Sequence, residues 1–306
     1  MIQFVIRRLL QLIPVLLGVS ILVFSMMHIT PGSPAVIIAG EGANQETLDN
    51  INQRLGLNDP IHVQYFNFLF DAIRFDFGNS WRSGIPVSEE IAPRIWVTIE
   101  LAVYSTILSI FMGLIAGIIS AVRKYTMTDV IIMIVALFGL SMPNFWLGLM
   151  LIQWFSVGLG WFPATGWGSA PQVVLPVIAL GTAGAAIIAR MTRSSMLEVL
   201  TQDYIRTARA KGVKQRIVVY RHALKNALIP VITVVGLQFG FLLGGAVLTE
   251  TVFAINGLGR LVVDRIAARD FPVVQASVLI IATLFVLVNF LVDISYRMVN
   301  KRIDLD

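Results

Sequence analysis

Apolar residues along this chain come in long blocks, not in strict alternation. Six stretches stand out, at residues 9–29, 99–122, 130–157, 173–189, 227–248 and 273–294. Each is close to or above the roughly 18 residues that mark a bilayer-crossing helix, so the pattern predicts an all-α integral membrane protein with six transmembrane helices in a single domain, 1–306. The third stretch is the longest and carries Ser141, Pro143 and Asn144 at its centre. Proline removes a backbone donor and clashes with the preceding turn, so a break is expected there.

The segment between the first two stretches, residues 31–97, keeps a pattern of its own. Leu48, Ile51 and Leu55 share one helical face and Gly56 follows as a stop, which predicts a short amphipathic helix. In the next run, "YFNFLFDAIRFDFGNSW", Tyr65, Phe66, Phe68 and Phe70 alternate with polar residues, as in an interfacial helix or a lid over the spans.

Composition strengthens the membrane assignment. Charged residues make up 13% of the 306 positions and hydrophobic ones 57%, and mean hydropathy is +0.80. The apolar stretch that follows Arg7 and Arg8 exceeds the core of a cleaved signal peptide and is expected to be a retained first span. The net charge of +5 matters for where it sits. With the N-terminus in the cytoplasm, 16 of the 23 Lys and Arg fall on the cytoplasmic side and seven outside, as the positive-inside rule requires. Both termini and the loop at 190–226 are then cytoplasmic, Arg297, Lys301 and Arg302 included, and 31–97 is extracytoplasmic. Arg297 stands one turn after Asp293, and the two are expected to pair at the headgroup level.

Little in the sequence points to chemistry. The chain has no Cys, and its three histidines, His28, His62 and His222, lie at different membrane levels, so no metal site or catalytic residue is predicted. No glycine-rich phosphate loop with Lys-Ser/Thr is present, and "GLGRLV" from Gly257 lacks the third glycine of a dinucleotide motif. Ser141 with His222 as base would make an intramembrane protease, but the topology holds them at different depths.

Inside the spans, Gly236, Gly240 and Gly244 recur every four residues, and Gly113 and Gly117 form a second pair. Small residues at this spacing let helix backbones approach closely, for packing or for an interface that opens. Polar groups at membrane depth are uncharged. Ser141, Asn144 and Gln238 are the candidates to line a path for a polar, net-neutral solute. A stand-alone channel or secondary transporter is the reading from another class; ion coupling would require acids at membrane depth, whereas Glu100, Glu250 and Asp293 sit at span edges.

One stretch resists a purely topological account. "RTARAKGVKQRIVVYRHALKNALIP", residues 206–230, holds seven Lys or Arg and no acid. Placed in a cytoplasmic loop, its charge follows from topology and requires no nucleic acid. Charge does not account for Ala208, Ala210 and Gly212, which predict a short helix, a glycine turn and a second helix, and allow another protein's groove to close around the first.

"DYIRTARAKG" followed by "RHALKNALIP" resembles the cytoplasmic loop of ABC-importer permeases, with Gly212, Ala208 and Leu224 on the shared pattern and departures at Arg206, Thr207, His222 and Lys225. "IRRLLQLIPVLLGVSILVF", "LGLNDP", "FDFGNSW", "LGTAGAAIIARMTRSSMLEVL" and "GLQFGFLLGGAVLTETVFAINGLGRL" extend the resemblance over nearly the whole chain, to the peptide, nickel and glutathione branch. The length and the long outer loop are similar to the first permease subunit of dipeptide-type systems. The resemblance implies a type I ABC-importer permease fold, a subunit that carries no ATPase site and a bacterial cytoplasmic membrane. It implies pairing with a homologous second permease, two cytoplasmic ATPases that use ATP and Mg, and an extracytoplasmic solute-binding protein. It also implies a coupling helix seated in an ATPase groove through Asp203, Tyr204, Arg206, Ala208, Arg209, Lys211 and Gly212. Di- or oligopeptides are the expected solutes, with glutathione or nickel as alternatives.

Overall fold

A computed structural model describes residues 2–40 and 42–299. Among them the helices in chain order are α1 (Ile2–Ile29), α2 (Pro34–Ala39), α3 (Gln45–Arg54), α4 (Ile61–Ile73), α5 (Val87–Val122), α6 (Met127–Ser141) and α7 (Asn144–Leu151). They continue as α8 (Ala170–Leu200), α9 (Asp203–Ala210), α10 (Gln215–Ile217), α11 (Leu224–Gly245), α12 (Val247–Val252), α13 (Leu258–Ala267) and α14 (Phe271–Val299). π-helical turns at Ile152–Gly158 and Val218–Ala223 extend α7 and join α10 to α11. No strand occurs among the described residues, where a lone bridge joins Asn79 and Pro86. The fold is all-α, as the blocks of apolar residues require.

Among the described residues five helices are long and apolar enough to cross a bilayer, and a sixth crossing results if α6 and α7 count as one broken span. The two meet at 101°. The break lies where the sequence places it. Met142 is extended at φ −79°, ψ 128°, the backbone region that a following proline imposes, and Pro143 caps α7 without an N–H to donate. Ser141 turns its hydroxyl back onto the Leu137 carbonyl at 2.9 Å, and so is spent on closing the end of α6.

The chain divides into two compact units. The first comprises Met1–Thr98 and Asn256–Leu284, the second Ile99–Ile255 and Phe285–Asp306.

In the first unit, the expected amphipathic helix is α3. Asn44 caps it by accepting the Thr47 N–H at 2.8 Å, and Gly56 ends it at φ +67°, the left-handed conformation that glycine adopts without strain. The interleaved aromatics form α4, which is two-sided. Tyr65 and Phe68 pack on Phe24 of α1, and the Tyr65 hydroxyl lies 2.9 Å from Ser20 Oγ, while Phe66 and Phe70 stay exposed. The segment that follows is held by a buried polar cluster. Asp270, with no solvent exposure, accepts from Ser80 Oγ at 2.6 Å and from the Trp81 N–H at 3.0 Å, and Arg265 bonds Glu90 Oε2 at 2.7 Å. Around this cluster Val87, Ile91, Leu258, Leu261, Val273 and Ala276 make a continuous apolar core.

In the second unit α8 is the central helix, packed against α6, α7 and α11. Ser169 and Gln172 form a reciprocal capping box at its start. Against α5 the approach is too close for side chains: a Cβ at Gly117 would stand 2.6 Å from the Ala189 carbonyl oxygen, and one at Gly113 2.7 Å from the Ile188 Cβ. Gly236 and Gly240 pack on Val292 and Phe285 of α14, whereas Gly244 is exposed. The second half of the basic stretch is not a separate helix. Nothing between Gln215 and Leu224 stops the chain, so it runs through the π-helical turn into α11 as one element, Gln215–Gly244. Asp293 has a partner, but the side chain of Arg297, and Lys301 and Arg302, lie outside the described residues.

These contacts order two glycine substitutions. Gly117→Ala forces a methyl onto a backbone oxygen that cannot move aside, and is expected to lower stability by about 1–3 kcal/mol. Gly240→Ala meets side chains alone, the Phe285 ring edge at 3.2 Å and Asn289 Oδ1 at 3.8 Å, and is expected to cost less. Thermal unfolding of both variants in detergent checks the order.

Candidate functional site

The site builds outward from α9. Its eight residues carry one fully buried side chain, Ile205, with Ala208 half-buried three positions on, while Asp203, Tyr204, Arg206, Thr207, Arg209 and Ala210 are exposed. Ile205 enters a core made by Ile118 and Ala121 of α5, Met196 of α8, Val218, Val219 and Ala223 of the π-helical turn and Ala227 of α11. A short helix at a surface gains little stability from its own hydrogen bonds, so this apolar root fixes its place. Asp203 and Arg206 pair on the exposed side, and Asn226 of α11 donates to the Tyr204 hydroxyl at 2.7 Å.

The helix ends on Gly212. The Gly212 N–H bonds the Arg209 carbonyl at 2.9 Å and the Val213 N–H the Ala208 carbonyl at 3.2 Å, the paired closure of a Schellman motif. Gly212 has φ +74° and open space beside it, so its requirement is conformational and not steric. Of the residues singled out for docking, the structure puts Asp203, Tyr204, Arg206, Arg209, Lys211 and Gly212 at the surface and turns Ala208 toward the core.

A second junction escaped the sequence reading. Asp129, at the start of α6, is buried and takes a two-pronged ion pair from Arg193 of α8, with Nε on Oδ1 and Nη2 on Oδ2, both at 2.7 Å. It also accepts from Ser120 Oγ and from the Tyr125 N–H at 2.9 Å, so one carboxylate gathers α5, α6, α8 and the turn between the first two. Tyr125 holds φ +62° in that turn. The signal was available: Asp129 is the sole charge between Tyr125 and Trp161. In the sequence Arg193 is one more positive charge of the 190–226 loop, since nothing in sequence spacing pairs positions 64 apart.

A third feature is a cavity of about 290 Å³ in the second unit, beside the break between α6 and α7. Asn144 and Gln238 both line it, together with Thr106, Ser109, Leu180 and Phe241; Ser141 does not. Ser109 bonds the Ser105 and Gly181 carbonyls at 2.8 and 2.7 Å, but the buried Thr106 hydroxyl has no partner among the described residues. The lining bears amide and hydroxyl groups on an apolar wall and no ionised side chain.

The helix is thus rooted in the ends of longer helices through Ile205, presents a polar outer face and is closed by a glycine. Comparison with known proteins gives the family. The family model described as "Binding-protein-dependent transport system inner membrane component" matches residues 113–305, and its N-terminal companion matches residues 1–102. This chain belongs to that family. It is a multi-pass ABC-importer permease. It is 48% identical to the dipeptide transport system permease protein DppB of Alkalihalophilus pseudofirmus and 47% identical to the glutathione transport system permease protein GsiC of Escherichia coli strain K12, each match covering 99% of both chains. A chain of the MetNI methionine ABC transporter in its inward-facing conformations superposes with a TM-score of 0.59 at 22% identity, over 69% of this permease and 96% of that chain. The type I importer permease fold is thereby shown.

The Asp129–Arg193 pair yields a prediction for the permease. Arg193→Gln leaves a buried carboxylate without its cation and is expected to destabilise the protein by about 3–5 kcal/mol. Adding Asp129→Asn in the same chain should recover most of that loss, since the unpaired charge disappears. Unfolding of both single variants and the double variant in detergent measures the coupling.

Proposed function

We propose that this permease forms half of the translocation pathway of an importer for di- or oligopeptides in a bacterial cytoplasmic membrane, with both termini cytoplasmic. A homologous second permease would supply the other half, and a solute-binding protein would deliver the solute from outside. Two ABC ATPases, using ATP and Mg, would bind beneath and supply the hydrolysis for which this chain has no phosphate-binding loop.

The observation that carries the reading is the seating of α9. Its exposed residues, among them Arg206, Thr207 and Ala210, form the face for the ATPase groove, while Ile205 ties the helix to α5, α8 and α11. Closure of the ATPases would push α9 as a lever, and Asp129–Arg193 would pass the displacement from α8 to α6 and to the break at Met142–Pro143. Gly113 and Gly117 would keep α5 moving with α8. The cavity by Asn144 and Gln238 would then be part of the path.

Peptides are favoured over a bare metal ion because the cavity wall offers amides and hydroxyls and no carboxylate. Glutathione is the second reading, supported by the identity to a glutathione permease. It is a peptide too, so the cavity chemistry serves both.

Ala210→Trp tests the docking face without disturbing the root. In the assembled complex it is expected to cut ATPase co-purification and solute-stimulated hydrolysis at least tenfold, the loss of roughly 1.4 kcal/mol of contact, while thermal stability of the permease holds. Wild-type values on both readouts would reject α9 as the ATPase contact. Uptake by the permease alone in liposomes is expected to be absent; robust uptake would favour a stand-alone transporter.

A further inference from the structure

A second cavity in the second unit, about 310 Å³, is open at its mouth and lies where α5 ends, beside the π-helical turn. It is two-sided in chemistry. Ile118, Ile119 and Val122 of α5 and Val219 of the turn give it apolar lining, and Arg123, Arg216, Gln215 and Tyr220 line it as well. Neither arginine has an acidic partner among the described residues, although other arginines in this chain are paired, such as Arg193 and Arg265.

We propose that this cavity binds an anionic phospholipid, with the phosphate between Arg123 and Arg216 and an acyl chain along Ile119 and Val122. Topology accounts for basic residues at this end of the spans, but not for two of them converging on one cavity with a hydrocarbon-like wall. A soluble anion would use the arginines and leave that wall wet. A neutral lipid would use the wall and leave the cations unmatched. A phosphate carried on an acyl chain satisfies both, and an arginine fork suits phosphate oxygens in pairs.

The site adjoins the coupling helix. Ile118 and Val219 line the cavity and also belong to the core that holds Ile205. A bound lipid would brace the root of α9, making the stiffness of the lever depend on the anionic content of the membrane. Binding itself does not depend on the proposed transport function and is measured without ATPases.

The test uses the full-length chain in detergent, titrated with short-chain phosphatidylglycerol or phosphatidylcholine and read by native mass spectrometry. Wild type is expected to prefer phosphatidylglycerol by roughly 30-fold, at about tenfold per 1.4 kcal/mol with two cations contributing. Arg123→Gln with Arg216→Gln should abolish the preference, and Arg123→Lys with Arg216→Lys should keep most of it. Inorganic phosphate should fail to compete at concentrations where phosphatidylglycerol does. Equal binding of the two lipids by wild type overturns the proposal even if no variant folds. So does an undiminished preference in the Gln variant, competition by phosphate alone, or displacement of the lipid when the ATPase subunits bind, which would hand the cavity to a protein partner.

Discussion

Hydrocarbon offers no hydrogen bond, and an unpaired peptide group within it costs several kcal/mol. That constraint decides most of what is seen here. It makes every long apolar block a helix, and it makes the one interruption in mid-block informative. Between α6 and α7 the chain bends by 101°, and the groups freed at the bend are handled locally: Pro143 has no donor to lose, and Ser141 bonds the Leu137 carbonyl. The cavity lined by Asn144 and Gln238 lies next to this point.

The same scarcity of partners governs the buried charges. Asp129 is surrounded by four donors from three elements, so it cannot be separated from Arg193 without stranding one of them. In the first unit Asp270 and Glu90 do the same for the segment around Trp81 and for α13. These clusters tie neighbouring helices to one another. Ile205 adds the apolar counterpart at α9. The basic stretch is therefore two things at once, a charged surface and a greasy root.

Much of this was legible in the residues themselves. Blocks of apolar residues gave the spans, Pro143 gave the break, and Gly56 gave the end of α3, because each acts through local backbone chemistry that needs no distant partner. The alanines and Gly212 gave α9 and its closure for the same reason. The family followed from "DYIRTARAKG" and its companions. Illegible were the pairing of Asp129 with Arg193, the inward turn of Ala208, the exposure of Gly244 and the absence of Ser141 from the cavity. Each depends on which helix lies alongside, and a spacing rule along one helix carries no information about that.

By itself, then, the sequence determined a membrane-spanning all-α chain, the place where one span breaks, and a basic loop containing a small-residue helix. Hydropathy, proline geometry and glycine's left-handed backbone act residue by residue. Only the tertiary structure decided what that helix is rooted in, which carboxylate holds α6 to α8, and that Thr106, Asn144 and Gln238 face one cavity while Arg123 and Arg216 share another. Those are meetings of residues far apart in the chain, set by how helices pack, and packing is decided by whole surfaces fitting together.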